Sequence, residues 1–285
     1  MAIYRRSYKP YTGALRAPWS RWLVLFRYSR RNLFRSKVQT ALFTICFFYP
    51  LLCLGGIYLA HNVSFLARIG VIGGVISIDN QFFFRLLAVQ GVLAFLLTAF
   101  IGPGLISPDL ANGALPLYFC RPFSRAEYLV GKSSVLAITL SQITWIPGIV
   151  LFAVQAGFAG PRWAWNNLWI AGSLLLGSLI WIAILSLLAM ALSAWVKWRF
   201  VAGALLLGVM FFGAGFGQAI NAALRVETGY FLNLGYLMTV VWSDLFRIDS
   251  DQSFSVTQSW FALFVYCAIC LGLLIRKVRA YEVVR

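Results

Sequence analysis

LWIAGSLLLGSLIWIAILSLLAMAL, running from Leu168 to Leu192, contains no Asp, Glu, Lys, Arg or His. A helix needs roughly 20 mostly apolar residues to cross a hydrocarbon layer about 30 Å thick, and this run exceeds that demand. A helix that is apolar on every side must be enclosed, either by protein or by lipid. The rest of the chain cannot do the enclosing with water outside it. The sequence is 61% hydrophobic, 16% aromatic and only 11% charged, against a charged share of about 25% in soluble domains. The surroundings of this segment are therefore lipid and other helices like itself.

Working outward, five further charge-free runs approach or meet the spanning length: Ala41 to Ala60, Leu86 to Ile106, Val135 to Ala156, Val201 to Ile220 and Trp260 to Ile275. The expected fold is an all-α membrane protein with six transmembrane helices in one domain (41–275), a basic extension (1–40) and a short tail (276–285). Lys and Arg accumulate in cytoplasmic loops, and here they alternate strongly. Residues 1–40 hold ten, the loop after span two holds Arg121, Arg125 and Lys132, the loop after span four holds Lys197 and Arg199, and the tail holds four. The opposite loops hold only Arg68, Arg85, Arg162, Arg225 and Arg247. Both termini are thus expected in the cytoplasm, with the protein in the cytoplasmic (inner) membrane. The same asymmetry accounts for the net charge of +16 without nucleic acid as a partner.

About 40 residues precede the first apolar run, so no cleavable signal peptide is expected. Ala17 to Lys37 reads as an interfacial helix: Trp19, Trp22, Phe26 and Leu33 recur near helical spacing, and Arg27, Arg31 and Arg35 form another stripe. Such a helix lies on the inner leaflet among membrane lipids. Four cysteines fall within spans and Cys120 in the loop after span two, so no disulfide is expected.

That loop, ISPDLANGALPLYFCRPFSRAEYLVGK from Ile106 to Lys132, has a local grammar. Ser107 is expected to cap a short helix with Pro108 in its first turn, Asp109 at its positive end and Gly113 at its close. Pro116 and Pro122 then hold an elbow. Ser124 and Glu127 have the spacing of a capping box that starts the helix of span three.

The pattern Asp109, Gly113-Ala-Leu, Leu117-Tyr-Phe, Arg121-Pro122-Phe-Ser124-Arg125, Glu127-Tyr128 and Gly131-Lys132 resembles the loop between spans two and three of ABC-2 type permease subunits. The basic helix before span one, the six spans and the long segment between spans five and six extend the resemblance along the chain. It implies that 107–132 is a coupling loop docking on a separate ABC ATPase subunit, with Pro108, Asp109, Asn112, Gly113, Arg121, Pro122, Ser124, Arg125, Glu127 and Lys132 as its ATPase-coupling residues. It further implies two permease copies with two ATPases. ATP and Mg then belong to the partner, this chain carries no cofactor, and the work goes to export of a substrate, for which the abundance of Phe and Trp suggests amphipathic or lipid-like cargo. Alternatives are a subunit that passes ATPase motion to an external partner without cargo flux, and a secondary carrier or channel.

Gly131-Lys132-Ser133 matches the end of a P-loop, but Ala126 stands where its first Gly belongs and a helix start precedes it. No ATPase site of its own, no catalytic residue and no metal site is expected. Gly213 and Gly217 have the GxxxG spacing, which serves packing within one subunit or contact between two copies. Gly102-Pro103-Gly104 is expected to break or kink span two, and Pro147 to bend span three. Gln90, Gln142, Gln155, Gln218 and Asn221 are uncharged, which disfavours a path for protons or small ions. The segment 221–259 is too apolar for a plain loop and is expected to form a re-entrant or interfacial element on the outside.

Overall fold

A computed structural model describes residues 21–62, 77–119, 124–248 and 254–279, and within them every regular element is helical. Six helical stretches are long and apolar enough to cross a membrane: Lys37–His61, Asn80–Ala111, Arg125–Ala159, Leu168–Trp195, Arg199–Leu224 and Val256–Lys277. The six-span expectation holds, with ends extended beyond the charge-free runs.

The elements are α1 (Arg21–Leu33), α2 (Lys37–Ile45), α3 (Phe48–His61), α4 (Asn80–Ile101), α5 (Pro103–Ala111) and α6 (Ala114–Phe119). They continue with α7 (Arg125–Ile143), α8 (Trp145–Ala159), α9 (Pro161–Asn166), α10 (Leu168–Trp195) and α11 (Arg199–Leu224). A 3₁₀ turn (Thr228–Leu232), α12 (Leu234–Leu245) and α13 (Val256–Arg279) complete the order.

The segment that decides the fold class also organises it. α10 packs against α4, α5, α7, α8, α11, α12 and α13, and 67% of its most apolar window is buried within the protein, against 17% for α11 and 22% for span one. Neighbours on all its sides explain why its hydrophobicity runs all the way round. Spans one and five turn most of their apolar surface outward, as lipid-facing or subunit-facing helices do.

Three spans are interrupted, and each interruption has a proline behind it. A proline lacks an N–H and its ring clashes with the carbonyl four residues earlier. Pro147 therefore acts at Ile143, where α7 ends, and Thr144 adopts φ −100° and ψ −90° between α7 and α8. Pro103 opens α5 after Gly102, so the helix of span two is interrupted there. Pro50 acts at Cys46, which with Phe47 separates α2 from α3, a break the apolar run alone did not announce.

α12 fills the interior between α4, α10, α11 and α13, with Leu237, Met238, Val240 and Val241 fully buried. Its C-terminal carbonyls are satisfied by side chains of other helices: Ser173 Oγ donates to Leu245 O at 2.6 Å and Asn80 Nδ2 to Phe246 O at 2.8 Å. Trp242 wedges between α4 and α10, its Nε1 donating to Gly177 O at 3.1 Å, while Trp181 Nε1 donates to Gly91 O at 2.9 Å. A Cβ on Gly91 or Gly177 would collide with the Trp242 ring, so both glycines make room for the wedge.

Gly213 and Gly217 face the 3₁₀ turn. A Cβ on Gly213 would strike Leu232 O and one on Gly217 would strike Gly229 O. The small residues thus let backbone approach backbone within one subunit, and Asn221 Oδ1 accepts from Gly229 N at 2.7 Å beside them.

Candidate functional site

The segment between spans two and three is shorter and more helical than its punctuation suggests. Ser107 does not cap a helix. Span two continues through it as α5 to Ala111, with Pro108 inside the helix. The reason is Ser193 of α10, a residue invisible as a signal because serines are common in apolar spans. Ser193 Oγ accepts from Ser107 N at 2.9 Å and from Ile106 N at 3.2 Å, and Ser107 Oγ donates to Ser193 O at 3.0 Å. These bonds, with Ser193 Oγ also 3.2 Å from Pro103 O, fasten the fourth and fifth residues of α5 to α10.

Gly113 closes α5 as expected, in the left-handed region at φ +62°, where a glycine is unstrained. A short helix, α6, then occupies part of the expected elbow and carries Pro116 in its first turn. Arg121 and Pro122 lie outside the described residues, as does Trp19 of the N-terminal stripe. The capping box is present: Ser124 Oγ accepts from Glu127 N at 3.1 Å, and Ser124 N donates to Glu127 Oε2 at 2.6 Å. α7 begins there, so Arg125 to Lys132 belong to the helix of span three.

Two expected loop residues meet inside the protein. Lys132 Nζ lies 2.8 Å from Asp109 Oδ2, with side chains only 8% and 17% exposed. Tyr128, fully buried, donates its hydroxyl to the same carboxylate oxygen at 2.8 Å. Tyr118 of α6 packs its ring 5.6 Å from that of Tyr128. Asp109 and Lys132 are thus an internal clamp between α5 and α7, largely withdrawn from solvent. Asn112, Gly113 and Ser124 are exposed, and Arg125 and Glu127 half-exposed.

Lys132 also settles the geometry of the P-loop match. Gly131, Lys132 and Ser133 lie within α7, where their amides take part in the helix and cannot curl round a phosphate. Gly131 has another use: a Cβ there would sit 3.1 Å from the Leu25 side chain and 3.3 Å from Trp22 O. α1 packs on α7 through this point, burying Leu25, Phe26 and Leu33. Arg27, Arg31 and Arg35 of the basic stripe are exposed and Trp22 is half-buried. Part of the apolar stripe is therefore spent on the protein's own helix.

Beside the clamp, Arg199 at the start of α11 reaches span two near its interruption. Its Nη2 donates to Phe100 O at 3.2 Å. Gln39, buried in α2, completes the contact in the amide orientation that satisfies both its atoms: it donates to Leu33 O at 2.7 Å and accepts from Arg199 Nη2 at 2.8 Å. A cleft of about 510 Å³ opens between α1, α2, α5, α6, α7 and α11, reached by Arg35, Asp109, Lys132 and Arg199. Burial, and after it the Asp109 charge, holds the Tyr118 hydroxyl in its wall above its ordinary titration range, which keeps it a neutral donor. No group of three or more His, Cys, Asp or Glu suited to a metal occurs among the described residues.

No protein-family model matches the chain, and no curated protein matches it.

Proposed function

We propose that the chain is the membrane-spanning permease subunit of an ATP-binding cassette transporter of the ABC-2 type. In this reading a separate ATPase subunit binds ATP and Mg, docks on the segment linking spans two and three, and drives export of a substrate. Two copies of the chain work with two ATPases. The protein sits in the cytoplasmic membrane with both termini inside.

The observation that carries the reading is the build of that linking segment. Spans two and three, Asn80–Ala111 and Arg125–Ala159, contain 32 and 35 residues, whereas about 20 suffice to cross. Residues 107–111 of span two and 125–134 of span three, beyond the charge-free runs, lie at the end that carries α6, and the Asp109, Lys132 and Tyr128 contacts join them there. A pair of overlong helices joined by a charged clamp and a capped turn passes displacement into the bundle better than a slack loop would. The basic residues gathered at this end support its assignment to the cytoplasm.

The test is to isolate the full chain from its native membrane and ask whether a soluble ATPase accompanies it. Replacing 112–124 by a glycine-serine segment of equal length should release the ATPase while leaving the six-span protein folded. An ATPase that stays bound to that variant, or transport that continues after ATP is exhausted, would overturn the proposal.

A further inference from the structure

The cleft beside the clamp has a composition that span packing and ATPase docking leave unexplained. Three cations, Arg35, Lys132 and Arg199, reach it and one carboxylate, Asp109, answers them. Asp109 is already committed to Lys132, which leaves the two guanidiniums as an excess of positive charge. Arg35 has no ion pair among the described residues. Gathering like charges round a cavity is unfavourable unless an anion or water screens them.

The walls are of two kinds. Arg35, Arg199 and the raised Tyr118 hydroxyl offer donors, whereas Ile101, Leu105 and Leu33 offer apolar surface. The volume of about 510 Å³ lies in the range of small-molecule sites, roughly 300–1,000 Å³. Guanidinium forks match the paired oxygens of a phosphate better than they match a lone halide. The cleft also lies where spans one, three and five begin and span two ends, since Gln39, Lys132, Arg199 and Asp109 all line it. A basic pocket among helix ends is a recurrent place for anionic headgroups.

We propose that this cleft binds a phosphate-bearing anion, held by Arg35 and Arg199. The phosphate is supplied either by a membrane lipid headgroup or by a soluble phosphate. This inference does not depend on the transport reading.

The experiment uses the full chain in a neutral detergent, following its unfolding temperature at constant ionic strength. Dihexanoyl phosphatidic acid, dihexanoyl phosphatidylcholine and inorganic phosphate are titrated separately. A ligand of the folded state raises the midpoint in a saturable way. Phosphatidic acid should do so, and phosphatidylcholine, whose phosphate is masked by its choline, should do so far less. R35Q removes an exposed side chain and should weaken half-saturation by about tenfold; R199Q should do the same, and R162Q, outside the cleft, should respond as the parent does. A response to phosphatidic acid alone identifies the lipid source, and an equal response to inorganic phosphate identifies the soluble one. Equal stabilisation by phosphatidylcholine and phosphatidic acid, or an undiminished response in both R35Q and R199Q, would overturn the proposal.

Discussion

Gln90 of span two repairs a break in span one: its Nε2 donates at 3.1 Å to Cys46 O, the carbonyl that Pro50 deprives of a helical N–H. A carbonyl exposed to hydrocarbon without a partner costs several kcal/mol, so the proline and the glutamine make sense only together. Gln90→Leu should destabilise the protein by about 1 kcal/mol. In a Pro50→Ala background, where residue 50 regains its N–H, the same change should cost clearly less. Unfolding of the four proteins of this cycle in detergent measures the coupling, and equal costs in both backgrounds would dissolve the pairing.

The Asp109–Lys132 clamp predicts a second cycle. Lys132→Met leaves a largely buried carboxylate with only the Tyr128 hydroxyl and should cost about 3–5 kcal/mol. Adding Asp109→Asn removes the stranded charge and should recover much of that loss. If the double variant is as unstable as the sum of the single ones, the two groups do not act as a pair.

Ser193→Ala takes away the acceptor used by Ile106 N and Ser107 N. We expect a loss of about 1–3 kcal/mol, with faster amide exchange confined to the first turns of α5. Hydrogen exchange followed by mass spectrometry reads this directly, and unchanged protection of that peptide would refute the role given to Ser193.

Gly217→Ala and Gly213→Ala drive a methyl into the carbonyls of Gly229 and Leu232. Each should destabilise by roughly 1–3 kcal/mol and loosen the turn at Thr228–Leu232, visible as faster local exchange. Gly215→Ala is the matched control, because a Cβ there meets nothing within 4 Å. It should be neutral or slightly stabilising through its better helix propensity.

Ser124→Ala removes the acceptor for Glu127 N and should cost about 1 kcal/mol, fraying the start of α7. The matching loss of ATPase co-isolation is the outcome the proposed function adds. Fraying with full ATPase retention would mean that the ATPase does not read this helix start.

The membrane-spanning character was legible because it depends on each helix alone: an all-round apolar run reads the same whatever it packs against. The capping box was legible for a similar reason, since Ser124 and Glu127 meet across a single turn. Span ends were drawn too short, since Asp109 and Lys132 read as loop charges. Each becomes acceptable within a helix only because the other faces it, and no spacing rule connects positions so far apart. Ser193 was illegible altogether. Its effect on Ser107 runs between helices, so a local capping rule gave Ser107 a task that a distant serine had made unnecessary. The GxxxG spacing marks Gly213 and Gly217 as contact points, but their partner, a backbone turn of the same chain, is set by the tertiary fold and has no local signal.

Arg199 gives the bundle an unequal mechanics. One guanidinium fastens span five to Phe100 O of span two and to Gln39 of span one, all at the end where α1 packs. The same trio is joined further along by Gln90 Nε2 on Cys46 O and by the rings of Phe95 and Phe211, 6.4 Å apart, so the guanidinium is the fastening of one end and not of the whole length. An anion competing for Arg199 would therefore loosen these three spans beside α1 while the contacts further along stayed closed.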